Sequence, residues 1–147
     1  MSSQIFHSRS EKETFQIGVN LGQECRQGDI LLLEGELGVG KTVFSKGFGS
    51  GLGIQEPISS PTFTILQIYE GGRLPLYHFD VYRIADVEEM EEIGYEEYFF
   101  GQGVCLIEWA SLIREILPEN CTRIQLEKEL ERGFQYRKIT VTRHDGR

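Results

Sequence analysis

The stretch Ile30-Leu-Leu-Leu-Glu-Gly35-Glu-Leu-Gly-Val-Gly40-Lys41-Thr42 decides the fold. Its first half is an unbroken apolar run that follows the turn Gln27-Gly28-Asp29, which reads as a central strand buried on both faces. Its second half fits G-x-x-x-x-G-K-[ST] without a mismatch. Such a loop must turn successive backbone N–H groups inward toward phosphate oxygens, and glycines permit the dihedrals while keeping side chains away. The helix expected from about Lys41 to Gly51 adds its positive dipole end. Lys41 supplies a full charge for the β- and γ-phosphates, and Thr42 offers a hydroxyl to Mg²⁺. The competing reading is a tight strand-to-helix turn capped by Lys and Thr. Ten of the 17 glycines fall between Gly18 and Gly53, so the glycine excess is local to this region.

Outward from the loop, Ser10-Glu-Lys-Glu13 has the form of a capping box. The helix it starts should run to about Arg26, with Phe15, Val19, Gly22 and Cys25 inward and close helix–sheet packing at Gly18 and Gly22. Ile5-Phe6-His7 reads as an edge strand. Phe63 to Tyr69 and Leu74 to Asp80 read as two strands joined by a turn at Glu70 to Arg73. Asp86 to Phe100 should form two short helices broken near Gly94, and Ser111 to Leu117 another, stopped by Pro118. Val104 to Ile107 is a second buried strand, and Thr122 to Leu126 and Gln135 to Thr142 close the sheet. The order implies one α/β domain over residues 1–147, three-layer, with a mixed central sheet flanked by helices.

A phosphate loop needs an acid for the metal–water shell, at the C-terminal end of a neighbouring strand. Glu108 directly ends Val104-Cys-Leu-Ile107. Asp80 ends the other strand, and alternation puts His78 on the same side as Asp80. The two acids are not ranked as catalysts by the sequence. The duller readings are a turn residue for Asp80, an exposed strand-end charge for Glu108 and a packed core histidine for His78. Ser60 and Thr62, flanking Pro61, sit where nucleotide-binding folds place a switch that senses the metal and γ-phosphate.

Charge and composition limit the partners. Fifteen Lys and Arg against 23 Asp and Glu leave a formal net charge of −8. That opposes strong independent binding to nucleic acid, because such affinity comes from neutralised phosphates. Seven acids and no base between Asp86 and Glu97 read as a solvated face or a dock for a basic partner. No apolar run is long enough to span a bilayer, and Met1 to Ser10 lacks an apolar signal segment. Three scattered cysteines suit reduced thiols in the cytoplasm.

Together, Gly35 to Thr42, Ser60-Pro-Thr-Phe63, Tyr77-His-Phe-Asp-Val-Tyr-Arg83 and Leu106-Ile-Glu-Trp109 resemble the bacterial TsaE ATPases, over about Glu11 to Val141. The resemblance implies a P-loop NTPase fold with ATP as substrate and slow, Mg²⁺-dependent hydrolysis by the chain alone. It implies action with the TsaB–TsaD heterodimer, whose TsaD subunit transfers threonylcarbamoyl to adenosine 37 of tRNAs that read ANN codons. ATP hydrolysis would reset that complex, and tRNA would be met only through it. By matching position it implies ATP contacts at Gly38, Val39, Gly40, Lys41, Thr42 and Val43, with Trp109 beside the nucleotide and Glu11 and Thr14 near the adenine. Thr42, Glu108 and Asp80 would be metal-linked. An arginine near the last strand would be Arg137, or Arg132 in its stead. Two other functions fit a phosphate loop: an assembly module driven by nucleotide binding, and a small-molecule kinase, though no Arg-rich lid is visible. GTP is disfavoured, since no Asn-Lys-x-Asp or Asp-x-x-Gly is present.

Overall fold

The computed structural model describes residues 2–36, 38–59 and 64–144. Ser60 and Thr62, the expected switch, lie outside the described residues. The elements run β1 (Ser2–Ser8), α1 (Glu11–Glu24), β2 (Ile30–Glu34), α2 (Lys41–Gly51), β3 (Leu66–Tyr69), β4 (Leu76–Asp80), α3 (Glu88–Ile93), α4 (Tyr95–Phe99), β5 (Val104–Glu108), a 3₁₀ segment (Ala110–Ile116), β6 (Thr122–Lys128) and β7 (Arg137–Arg143). A mixed seven-stranded sheet has the order β1-β7-β6-β2-β5-β4-β3. Its centre is parallel, β2 pairing with β5 and β6, and β4 with β5. The antiparallel strands β3, β7 and β1 finish the edges.

Helices cover both sheet faces, as expected from the order of elements. On one face α1 and α2 pack through Leu21, Phe44 and Phe48 against Leu31, Leu33, Leu106 and Ile124. On the other, Met90, Phe99 and Ile113 cover Ile30, Leu32, Phe79 and Ile107. The runs Ile30 to Leu33 and Val104 to Glu108 are buried throughout because both faces are covered. Burial pushes the Cys105 thiol well above its usual range and Cys121 up to about 11, so both stay protonated and inert.

Local chemistry sets the boundaries. Ser10 Oγ accepts from the Glu13 N–H at 3.1 Å, and Glu13 Oε1 accepts from the Arg9 N–H at 2.9 Å. The helix stops at Glu24 rather than Arg26, because Asp29 Oδ2 takes the Arg26 N–H at 2.8 Å and draws the chain into a turn. β4 starts at Leu76 rather than Leu74: Pro75 has no N–H to give a ladder, and its carbonyl accepts from Val104. The β3 ladder begins at Leu66↔Phe79; Phe63, where the sequence starts this strand, lies outside the described residues. The segment after β5 is 3₁₀ and kinked at Ile113 (φ −124°, ψ 29°).

The inward face of α1 differs from the hydropathy reading. Thr14, Gly18, Leu21 and Gly22 are buried, while Phe15 lies at the surface. The glycines serve a helix–helix contact, not a helix–sheet one. A Cβ on Gly18 would stand 2.5 Å from Phe44 O and one on Gly22 2.3 Å from Phe48 O, while α2 answers with Gly47 and Gly51 against the carbonyls of Phe15 and Val19. Close approach of two backbones sets the rotation of α1, and hydropathy counts cannot see it because glycine carries no side chain.

Alanine at an exposed helical glycine normally adds up to about 1 kcal/mol of stability. Gly47→Ala should reverse that sign, since its Cβ would sit 2.1 Å from Phe15 O. The expected loss is about 1–3 kcal/mol, the ordinary cost of overpacking. It should appear as a lower urea midpoint with an unchanged m-value, and a raised midpoint would contradict the interlock.

Candidate nucleotide site

The phosphate loop leaves β2 at Glu34 and enters α2 at Lys41. Gly38 and Gly40 have φ of 78° and 107°, left-handed values that side chains resist. These two turns bring the chain back so that α2 begins at the loop, its first-turn N–H groups and dipole facing the same space. Thr42 is exposed at that helix start, and Val43 follows half-buried.

Two strand ends bring the acids in. β4 and β5 pair in parallel with Asp80 opposite Glu108, and Leu33 of β2 lies opposite Glu108 on the other side. The two carboxylates therefore stand on adjacent strands, Glu108 one strand and Asp80 two strands away from the loop. His78 is completely buried, and its Nε2–H donates to Glu108 Oε2 at 2.8 Å. Its Nδ1 has no partner among the described residues. His78 is thus a packed, hydrogen-bonded core histidine, and its bond goes to Glu108, a partner the sequence does not indicate.

Asp80 Oδ1 accepts from the Tyr82 N–H at 3.0 Å. Its carboxyl titrates above the usual range, first because it is partly desolvated and then because Glu108 is close. The Tyr82 N–H, His78 and Lys41 pull the other way. Two neighbouring carboxylates and the Thr42 hydroxyl at the start of α2 are oxygen donors of the kind that a hard cation such as Mg²⁺ takes, with phosphate oxygens and water to complete the set. Among the described residues no group of three or more His, Cys, Asp or Glu forms a metal cage of its own.

Trp109, directly after Glu108, is the only non-glycine residue with positive φ (65°) among those described. That turn lays its indole under the Lys41 ammonium, 4.4 Å from the ring centroid, with Tyr82 4.7 Å away on centroids. Lys41 is only 8% exposed. A cleft of about 310 Å³ opens here between Glu36, Lys41, Trp109 and Ser111.

A second, smaller cleft of about 160 Å³ lies on the other side of the loop. Glu11 and Thr14 line it from α1, Gly40 and Val43 from the loop and α2, and Phe134 from the β6–β7 connection. Thr14 Oγ1 is hydrogen-bonded to Ser8 Oγ at 2.7 Å and is buried, which leaves Glu11 the more exposed of the two. Arg137 reaches the loop: its Nε donates to Val39 O at 2.7 Å. Arg132 instead pairs with Glu129 and lies over Tyr136. The sequence by itself marks neither Tyr82, which lies within Tyr77 to Arg83, nor Phe134, which follows Gly133 and carries no motif.

A buried parallel strand, a glycine-turned phosphate loop, a helix begun at its lysine and acids ending the neighbouring strands define an α/β protein of the P-loop NTPase-like class. Residues 8–139 match the family model for the threonylcarbamoyl adenosine biosynthesis protein TsaE, and the chain belongs to that family. It is 50% identical over 131 residues to the tRNA threonylcarbamoyladenosine biosynthesis protein TsaE of Bacillus subtilis, covering 89% of this chain and 80% of that one. The protein of the same name from Treponema pallidum is 48% identical over 119 residues, covering 81% and 87%. A crystal structure of Bacillus subtilis YdiB superposes with a TM-score of 0.80 at 42% identity, covering 97% of this chain and 86% of that one. No helix among the described residues is long and apolar enough to cross a membrane.

The raised Asp80 value has a consequence for stability. An acid whose folded pKa lies above its unfolded pKa costs stability in the charged form; the full cost is present above the folded pKa and fades as pH falls toward about 3.9. Asp80→Asn keeps the acceptor for the Tyr82 N–H but removes the charge. In a metal-free buffer it should melt a few degrees higher than the parent at pH 7, with the gap closing by about pH 4. An equal or lower melting temperature at pH 7 would contradict the shift.

Proposed function

We propose that this chain is the ATP-binding and ATP-hydrolysing subunit of the machinery that forms threonylcarbamoyladenosine at position 37 of tRNAs. The observation that carries the reading is the register of Asp80 with Glu108 on the two strands next to the one that ends in the Gly35 to Thr42 loop. A loop alone would fit a binding module; a loop with a carboxylate pair at its phosphate end suits hydrolysis.

In this reading the amides of Gly38 to Val43 and the Lys41 ammonium hold the triphosphate and absorb charge that grows on its oxygens as the terminal bond breaks. Lys41 leaves the Trp109 face to do so. Thr42, Asp80 and Glu108 hold Mg²⁺, which when bound neutralises phosphate charge and orders water. Glu108, fixed through one oxygen by His78, keeps the other to orient the attacking water. Ser60 and Thr62 act as the segment that senses the γ-phosphate. Arg137 ties the loop to β7 beside the nucleotide. TsaD and TsaB are the partners, tRNA is reached only through them, and the complex works in the cytoplasm. Hydrolysis by the chain alone is slow because the partners complete its site.

Phosphate-release kinetics and calorimetry on two variants test this. Lys41→Ala should abolish turnover and weaken ATP binding at least tenfold. Glu108→Ala should lower kcat about 100-fold, the usual loss for a group that acts in the transition state, with ATP affinity within a few-fold. Unchanged turnover in Lys41→Ala would overturn the site, and a rise in KM alone for Glu108→Ala would move the catalytic role to Asp80.

A further inference from the structure

We infer that Phe134 is a nucleobase-stacking residue, the outer wall of a cleft that takes the ring system of the bound nucleotide. The inference rests on the ATP reading above and adds a residue to it. Strand order gives the direction. The acids that mark the γ-phosphate end stand on β5 and β4, to one side of β2. A nucleotide laid along the loop must then carry its base to the other side, toward β6, β7 and the start of α1. The cleft of about 160 Å³ is found there, sharing Gly40 and Val43 with the phosphate site.

Phe134 is 83% exposed, the most exposed of the large apolar side chains at the surface of the described residues. An aromatic ring left in water at the rim of a small, largely apolar cleft lacks a flat partner, and a purine supplies one. Its position is built rather than incidental. Arg137 donates through Nε to Val39 O at 2.7 Å in the phosphate loop and through Nη1 to Phe134 O at 3.1 Å and Tyr136 O at 2.8 Å. One guanidinium thus fixes the backbone of the stacking residue to the loop that holds the phosphates. Tyr136, next along, is buried and hydrogen-bonded to His7 Nδ1, which anchors the connection to β1. Gly133, with φ 126°, allows the turn that presents Phe134 outward. Across the cleft, Glu11 offers a carboxylate at the edge of the ring.

Stacking acts on the base and not on the phosphates, so the test separates them. Calorimetric dissociation constants are measured with Mg²⁺ for ATP and for inorganic tripolyphosphate, on the parent chain, Phe134→Ala, Phe134→Trp and Lys41→Ala. Phe134→Ala should weaken ATP about tenfold and leave tripolyphosphate within twofold, while Phe134→Trp keeps parental ATP affinity. Lys41→Ala should weaken both ligands. Parental ATP affinity in Phe134→Ala, or equal loss of both ligands, would overturn the assignment while leaving the phosphate site standing. A parent chain that binds neither ligand would overturn the nucleotide reading itself.

Discussion

The site depends on the parallel pairing of β2, β5 and β4 in one register. Leu33, Glu108 and Asp80 stand side by side across three strands, so β5 and β4 end within one residue of β2, at the same edge of the sheet as the phosphate loop. A shift of one residue in β4 would turn Asp80 and His78 to the other face and leave Glu108 without its buried partner. The register is held by burial: Leu76, His78 and Leu106 face the layer of α1 and α2, while Phe79 and Ile107 face that of α3 and α4. Slipping the strand would put His78 into the aromatic cluster around Phe99 and drive Phe79 into the layer of α1 and α2. Core packing on both faces therefore fixes the chemistry at the edge.

The same economy of position holds on the helical side. The backbones of α1 and α2 touch through glycines, so the start of α1 is carried close to the phosphate loop. Glu11 and Thr14 share a cleft with Gly40 and Val43 for that reason. On the sheet side, Arg137 links β7 to Val39. The loop is thus held from both sides, by a helix contact and by a guanidinium, while Lys41 waits over an indole instead of lying free in solvent. Displacing it costs part of a cation–π contact, and the triphosphate charge offsets that.

Much of this was legible in the residues. The apolar runs at Ile30 and Val104, the glycine loop and the strand-end acids specify a three-layer fold and one edge of it, because strand burial and phosphate binding each demand particular residue types. The break between α3 and α4 at Gly94 was also readable. The rotation of α1 was not, since contacts at Gly18, Gly22, Gly47 and Gly51 are made by backbone. Nor was the part of Phe134: an aromatic in an irregular connection has no periodicity to expose it, and only the sheet order shows which side of the loop it faces. Arg137 and Arg132 are five residues apart, and only the fold separates the one that meets Val39 from the one that pairs with Glu129.

In the proposed function, triphosphate draws Lys41 off Trp109 at the edge shared by the loop and the acids. Trp109 is the only tryptophan, so its fluorescence reports that event without ambiguity. Titration with Mg²⁺ and ATP should give a saturable change in emission at the dissociation constant that calorimetry measures on the same sample. A flat emission across a titration in which calorimetry shows ATP binding would contradict the account, because Lys41 and Trp109 would then keep their contact with the nucleotide in place.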